Sequence, residues 1–86
     1  MEMIDDVSFF YNYKSPKGVF IIQFDNNVSK WALALNGVVY GHYTSPVAAA
    51  DDVYCQATGA YEWDSLNVMN LSIPTDIYEW VKYQHN

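Results

Sequence analysis

Asn36-Gly37 sits between two apolar stretches, Trp31-Ala32-Leu33-Ala34-Leu35 before it and Val38-Val39-Tyr40 after it. Asn and Gly readily take the two positive-φ positions of a type I′ turn, which joins antiparallel strands through only two residues. The pair therefore predicts strands over 29–36 and 38–44. So short a connection also predicts the register: Leu35 facing Val38, Leu33 facing Tyr40 and Trp31 facing His42. Ala34 with Val39, Ala32 with Gly41 and Lys30 with Tyr43 then fall on the other side. One face is bulky. The other is nearly bare, and Ala32, Ala34 and Gly41 leave room there for another element to come close.

Turn chemistry punctuates the rest of the first half. Val19-Phe20-Ile21-Ile22-Gln23-Phe24 reads as a strand between Ser15-Pro16-Lys17-Gly18 and Asp25-Asn26-Asn27. Val7 to Tyr13 reads as a first strand, with Phe9-Phe10-Tyr11 assignable either to it or to an N-terminal arm. A helix follows, with Ser45 as N-cap, Pro46 at the first helical position and Gly59 as the left-handed residue after its end. Val47, Ala50, Val53, Tyr54 and Ala57 recur at helical spacing and are expected to form its buried stripe. Near the C-terminus, Thr75 is expected to cap a short helix over Ile77–Tyr83, with Asp76 at its positive end. The predicted fold is α+β: an antiparallel sheet of three to four strands, one helix packed on it, and a short C-terminal helix.

Residues 1–86 amount to one domain. A single cysteine, Cys55, rules out an intramolecular disulfide, so the fold must rest on a hydrophobic core. With 51% apolar and 17% aromatic residues, the supply is ample. No run reaches the roughly 20 apolar residues of a membrane span, and Met1-Glu2-Met3-Ile4-Asp5-Asp6 is acidic where a signal peptide is basic. The expected setting is soluble and cytoplasmic, in a bacterial host.

Charge narrows the partners. Ten acids face four lysines, and there is no arginine. Gripping phosphate needs a basic patch, commonly built with arginine, so direct nucleic-acid binding is not expected. The imbalance is concentrated. Residues 1–44 hold four acids (Glu2, Asp5, Asp6, Asp25) and three lysines, net −1, whereas residues 45–86 hold six acids (Asp51, Asp52, Glu62, Asp64, Asp76, Glu79) and only Lys82, net −5.

No constellation of catalytic or metal-binding residues stands out. Two histidines, His42 and His85, and one cysteine fall short of a zinc set, so neither metal nor cofactor is expected. Cys55, in an alanine-rich helix, reads as a small buried hydrophobe rather than a nucleophile with His42 as its base. Asp51 and Asp52, adjacent on a helix, point about 100° apart and make a poor acid–base pair. The feature above background is the cluster Asp51, Asp52, Glu62 and Asp64 with Tyr61 and Trp63 beside it. Tyr and Trp are enriched at binding hot spots, and so many aromatic rings exceed what a small core hides. Trp63 serves as an anchor there only if its ring is exposed.

In size, acidity and lack of a catalytic set the chain is similar in kind to phage-encoded inhibitors of host defence, of anti-CRISPR or anti-restriction type, and to toxin-neutralising immunity proteins. The resemblance implies a non-enzymatic inhibitor whose acidic surface blocks a basic nucleic-acid-handling protein. A structural homodimer using an exposed sheet face is the alternative from another class. A small-molecule site lined by Trp31 and Tyr40 is a third.

Overall fold

Asn36 and Gly37 both adopt positive φ, 53° and 83°, as a type I′ turn requires. In the computed structural model, which describes residues 9–84, they join β3 (Lys30–Leu35) to β4 (Val38–Tyr43). Ahead of them β1 (Phe9–Ser15) and β2 (Gly18–Asp25) form a second hairpin, and Phe9-Phe10-Tyr11 belongs to β1. Val7 lies outside the described residues. Asn36 ties the two turns together. Its Nδ2 donates to the Lys17 carbonyl (2.8 Å), its Oδ1 accepts from Val19 N (3.3 Å), and its own N donates to the Val19 carbonyl (3.1 Å).

The predicted register holds only beside the turn, where Leu35 pairs with Val38 and Ala34 with Val39. A bulge at Tyr40 then shifts it by one residue: Leu33 lies opposite Gly41, Ala32 opposite His42 and Trp31 opposite Tyr43. The pairing of Leu33 with Tyr40 is thus corrected, and so is that of Trp31 with His42. One extra residue sends every later side chain to the opposite face. Tyr43 consequently turns toward the helix, and His42 to the face away from it.

The C-terminal segment departs further from expectation. Ile77–Glu79 is a single 3₁₀ turn capped by Asp76, whose side chain accepts from Tyr78 N (2.9 Å), not by Thr75. Trp80 is extended, and β5 (Val81–Gln84) pairs antiparallel with β1. A seven-residue helix is marginal alone. Val81-Lys82-Tyr83-Gln84 alternates like a strand, and the edge of β1 offers its backbone groups partners. The sheet has five strands, all antiparallel, in the order β4-β3-β2-β1-β5.

α1 (Pro46–Tyr54) starts as the sequence indicates, with Ser45 Oγ accepting from Ala48 N (3.2 Å). It ends earlier than expected. Gln56, at φ 54°, takes the left-handed place predicted for Gly59; its N donates to the Val53 carbonyl (3.2 Å) and Ala57 N to that of Asp52 (2.9 Å). The buried stripe is Ala49, Ala50 and Val53, while Val47, Tyr54 and Ala57 face solvent. Small alanines let α1 lie close on the sheet, against Phe20, Ile22, Leu33 and Leu35. Burying each of those larger side chains contributes about 1.5–3 kcal/mol. Trp63, Ile77 and Trp80 complete the core.

Candidate functional site

The loop after α1 is built from hydrogen bonds within the chain. Gln56 Nε2 donates to the carbonyls of Trp63 and Leu66, both at 2.7 Å. The Asp64 carboxylate accepts from Thr58 N (3.0 Å), Thr58 Oγ1 (2.7 Å) and Gly59 N (2.8 Å). These bonds shape the single-turn helix α2 (Tyr61–Asp64), which points Trp63 inward and Tyr61 and Glu62 outward.

The structure divides the six residues of the predicted acidic surface. Trp63 is 0% exposed, its indole N donates to the Val53 carbonyl (2.9 Å), and its ring meets the edge of Phe20. It is a core residue and cannot anchor a partner. Asp64 is committed to the loop. Asp52 is half-buried and accepts from the Tyr43 hydroxyl (2.8 Å). Asp51, Glu62 and Tyr61 face solvent, Tyr61 at 81% exposure.

Two more tyrosines are exposed: Tyr54, which helical spacing assigns to the buried stripe, and Tyr78. Tyr78, on the 3₁₀ turn that packs against α1, is 90% exposed, with Asp76 and Glu79 beside it. Tyr54, at the end of α1, lines a groove of about 410 Å³ with Val68, Leu71, Ile73 and Thr75. A signal existed for Tyr78, since it falls off the face shared by Ile77 and Trp80. None existed for Tyr54, whose spacing matched the expected stripe. All three tryptophans are buried, so the exposed rings are tyrosines.

Two phenols are perturbed by their surroundings. The Tyr43 hydroxyl is pushed well above its ordinary range, first by burial, then by its bond to Asp52 and the charges of Asp52 and Asp64. It stays protonated and serves as a tether between β4 and α1. Burial pushes Tyr13 up as well. Cys55 is exposed at the helix end, not buried within it. His42 lies on the sheet face away from α1, 3.3 Å from Asp25, so the sheet separates it from Cys55. His85 lies outside the described residues. Among the described residues no three His, Cys, Asp or Glu side chains are grouped to hold a metal ion, and no helix is long and apolar enough to cross a membrane. Trp31 is packed among Phe9, Phe24 and Tyr11 at 5.5–6.4 Å. It is 9% exposed, among these neighbours.

Comparison with protein-family models, with curated proteins and with solved structures finds no match in any of the three. Fold and surface chemistry alone define the class: a small α+β domain with an acidic, tyrosine-bearing surface beside its helices.

Proposed function

We propose that this protein is a non-enzymatic inhibitor that uses its helix-side acidic surface to occupy a basic protein, in the manner of phage anti-defence proteins. The observation that carries the reading is the exposure of Tyr61 next to Glu62 and of Tyr78 between neighbours Ile77 and Glu79, with Asp51 and Asp76 exposed as well. Rigid rings with polar tips supply contact area at low entropic cost, and the surrounding carboxylates steer a basic partner toward them. The groove beside Tyr54 is mostly apolar and can receive an aliphatic side chain of that partner. A partner that handles nucleic acid in a bacterial cytoplasm presents the basic surface required. An anti-defence protein and a toxin-immunity protein share this logic and differ only in what they block.

The test begins with the tagged protein as bait in bacterial lysate, identifying bound proteins by mass spectrometry. The recombinant partner is then titrated across a salt series. Asp51→Lys with Glu62→Lys should slow association, and Tyr61→Ala should speed dissociation, because rim charges act on the on-rate and packed anchors on the off-rate. A nuclease complex of host defence as partner supports the anti-defence version, and a toxin supports immunity. Binding indifferent to both salt and charge reversal rejects the reading.

A further inference from the structure

Of the chain's asparagines, only Asn36 precedes a glycine. That pair carries a chemistry of its own. The main-chain N of a following residue can attack the carbonyl carbon of an asparagine side chain, and glycine leaves that N the least obstructed. Beyond its chain neighbours, no atom lies within 4 Å of the place a Cβ would take on Gly37. Asn36 and Gly37 are also both exposed to solvent. Sequence and access favour the reaction. The fold does not.

Two features hold it off. In a type I′ turn the first central residue has ψ of about 30°, which sets its Cβ and the next main-chain N nearly opposite across the Cα–C bond. A five-membered ring needs them on the same side, so Asn36 cannot cyclise until the turn opens. The side chain is also held elsewhere. Its Nδ2 donates to the Lys17 carbonyl at 2.8 Å and its Oδ1 accepts from Val19 N at 3.3 Å, both on the neighbouring hairpin. It rests on Gly18, where a Cβ would strike its Oδ1, Cγ and Nδ2.

We propose that Asn36 is a latent modification site: a spontaneous, one-way deamidation that the closed turn forbids and the open turn permits. In the open turn Gly37 N gives up its proton to water and bonds to Asn36 Cγ. The Cγ–Nδ2 bond breaks, and Nδ2 takes up a proton and leaves as ammonia. Water then opens the cyclic imide. Attack at Cγ gives aspartate; attack at the main-chain carbonyl gives isoaspartate, with the chain now running through Cγ. The net change is amide plus water to carboxylate plus ammonium, and no other reactant is needed.

Neither product can rebuild the contact between the hairpins. In aspartate the place of Nδ2 passes to a carboxylate oxygen, which has no proton to donate to the Lys17 carbonyl. In isoaspartate the main chain of the turn gains a methylene group, and the two-residue connection that pins Leu35 opposite Val38 is lost. The reaction thus records opening of the turn, because a chain that reacts while open closes with its two hairpins untied.

The experiment incubates the full chain at mildly alkaline pH, in buffer and in guanidinium chloride above the unfolding transition, and follows Asn36 by peptide mapping and mass spectrometry. Deamidation there should be at least about tenfold slower in buffer, since only the open fraction reacts. The product carries one more carboxylate than a chain of net charge −6, so anion exchange separates it. It should melt below its parent, and so should Asn36→Asp. Gly18→Ala, whose Cβ displaces the Asn36 side chain, should react faster than Val53→Ala, a core change that leaves both turns in place. The two are compared at equal free energy of unfolding, set with guanidinium. Should Gly18→Ala not fold, the rates in buffer and denaturant and the melting of Asn36→Asp decide. Equal rates in buffer and denaturant, a product or Asn36→Asp that melts with the parent, or Gly18→Ala no faster than Val53→Ala would overturn the proposal.

Discussion

Trp63 and Trp80 are both buried, at 0% and 5% exposure, yet their indole N–H groups meet opposite fates. That of Trp63 donates to the Val53 carbonyl at 2.9 Å; that of Trp80 has no hydrogen-bond partner among the described residues. Replacing each with phenylalanine removes the same atoms, so the lost packing is similar at the two sites. What differs is the polar group. At Trp63 the change gives up a hydrogen bond, a net contribution of about 0.5–1.5 kcal/mol; the Val53 carbonyl still accepts from Gln56 N, which limits the loss. At Trp80 it removes a buried, unpaired donor whose desolvation costs about 1–3 kcal/mol. Trp63→Phe should therefore be less stable than Trp80→Phe by about 1.5–4.5 kcal/mol. For a domain of this size each kcal/mol moves the melting midpoint by about 4–8 °C, so the variants should melt at least ~6 °C apart. Urea unfolding followed by far-UV circular dichroism is the suitable assay, since indole fluorescence changes with either substitution. Equal losses, or a larger one at Trp80, would refute the reasoning.

Three further outcomes are expected. Gly18→Ala should destabilise more than Gly37→Ala: both glycines have positive φ, but a Cβ at Gly18 runs into the Asn36 side chain, whereas Gly37 has open space. Thermal melts of the two variants check the order. Because burial and Asp52 raise the Tyr43 pKa in the fold, the phenol keeps its proton there after the unfolded chain has lost it. The stability it contributes is full below pH 10.0, the ordinary tyrosine value, and is lost as pH rises above it. Tyr43→Phe should flatten that part of the alkaline decline in melts taken between about pH 9 and 11. Cys55 is exposed, so Ellman's reagent should label it in the folded protein, and Cys55→Ala should shift stability by no more than about 0.5 kcal/mol.

How far the chain could be read from its residues follows the range of the interactions involved. The turn at Asn36-Gly37 and the cap at Ser45 are local, settled by residues within three positions, and both stand. The bulge at Tyr40 is not local. No single residue marks it, and only the pairing of β4 with β3 reveals that it aims Tyr43 at Asp52. Gln56 in a left-handed place defied propensity because its side chain bonds two carbonyls up to ten residues away. β5 was missed because a short apolar stretch suits helix and strand alike, and the vacant edge of β1 decided between them. On the candidate surface, the clustering of acids was visible in composition. Which ring faced inward was not: Trp63 and Tyr61 differ only in which side of α2 they occupy.

The pairing of β5 with β1 also governs when the fold can close. Tyr11 lies opposite Lys82, so a backbone ladder joins the two ends of the described chain. The β1–β4 meander can assemble as it leaves the ribosome, but the edge of β1 stays unclaimed until the last strand emerges, and Trp80 takes its seat only then. Such long-range closure comes late and slowly. During that interval the exposed edge of β1 can recruit a strand from a neighbouring nascent chain. A fifth strand that arrives late leaves a window in which pairing with another chain can compete with closure of the sheet by its own strand.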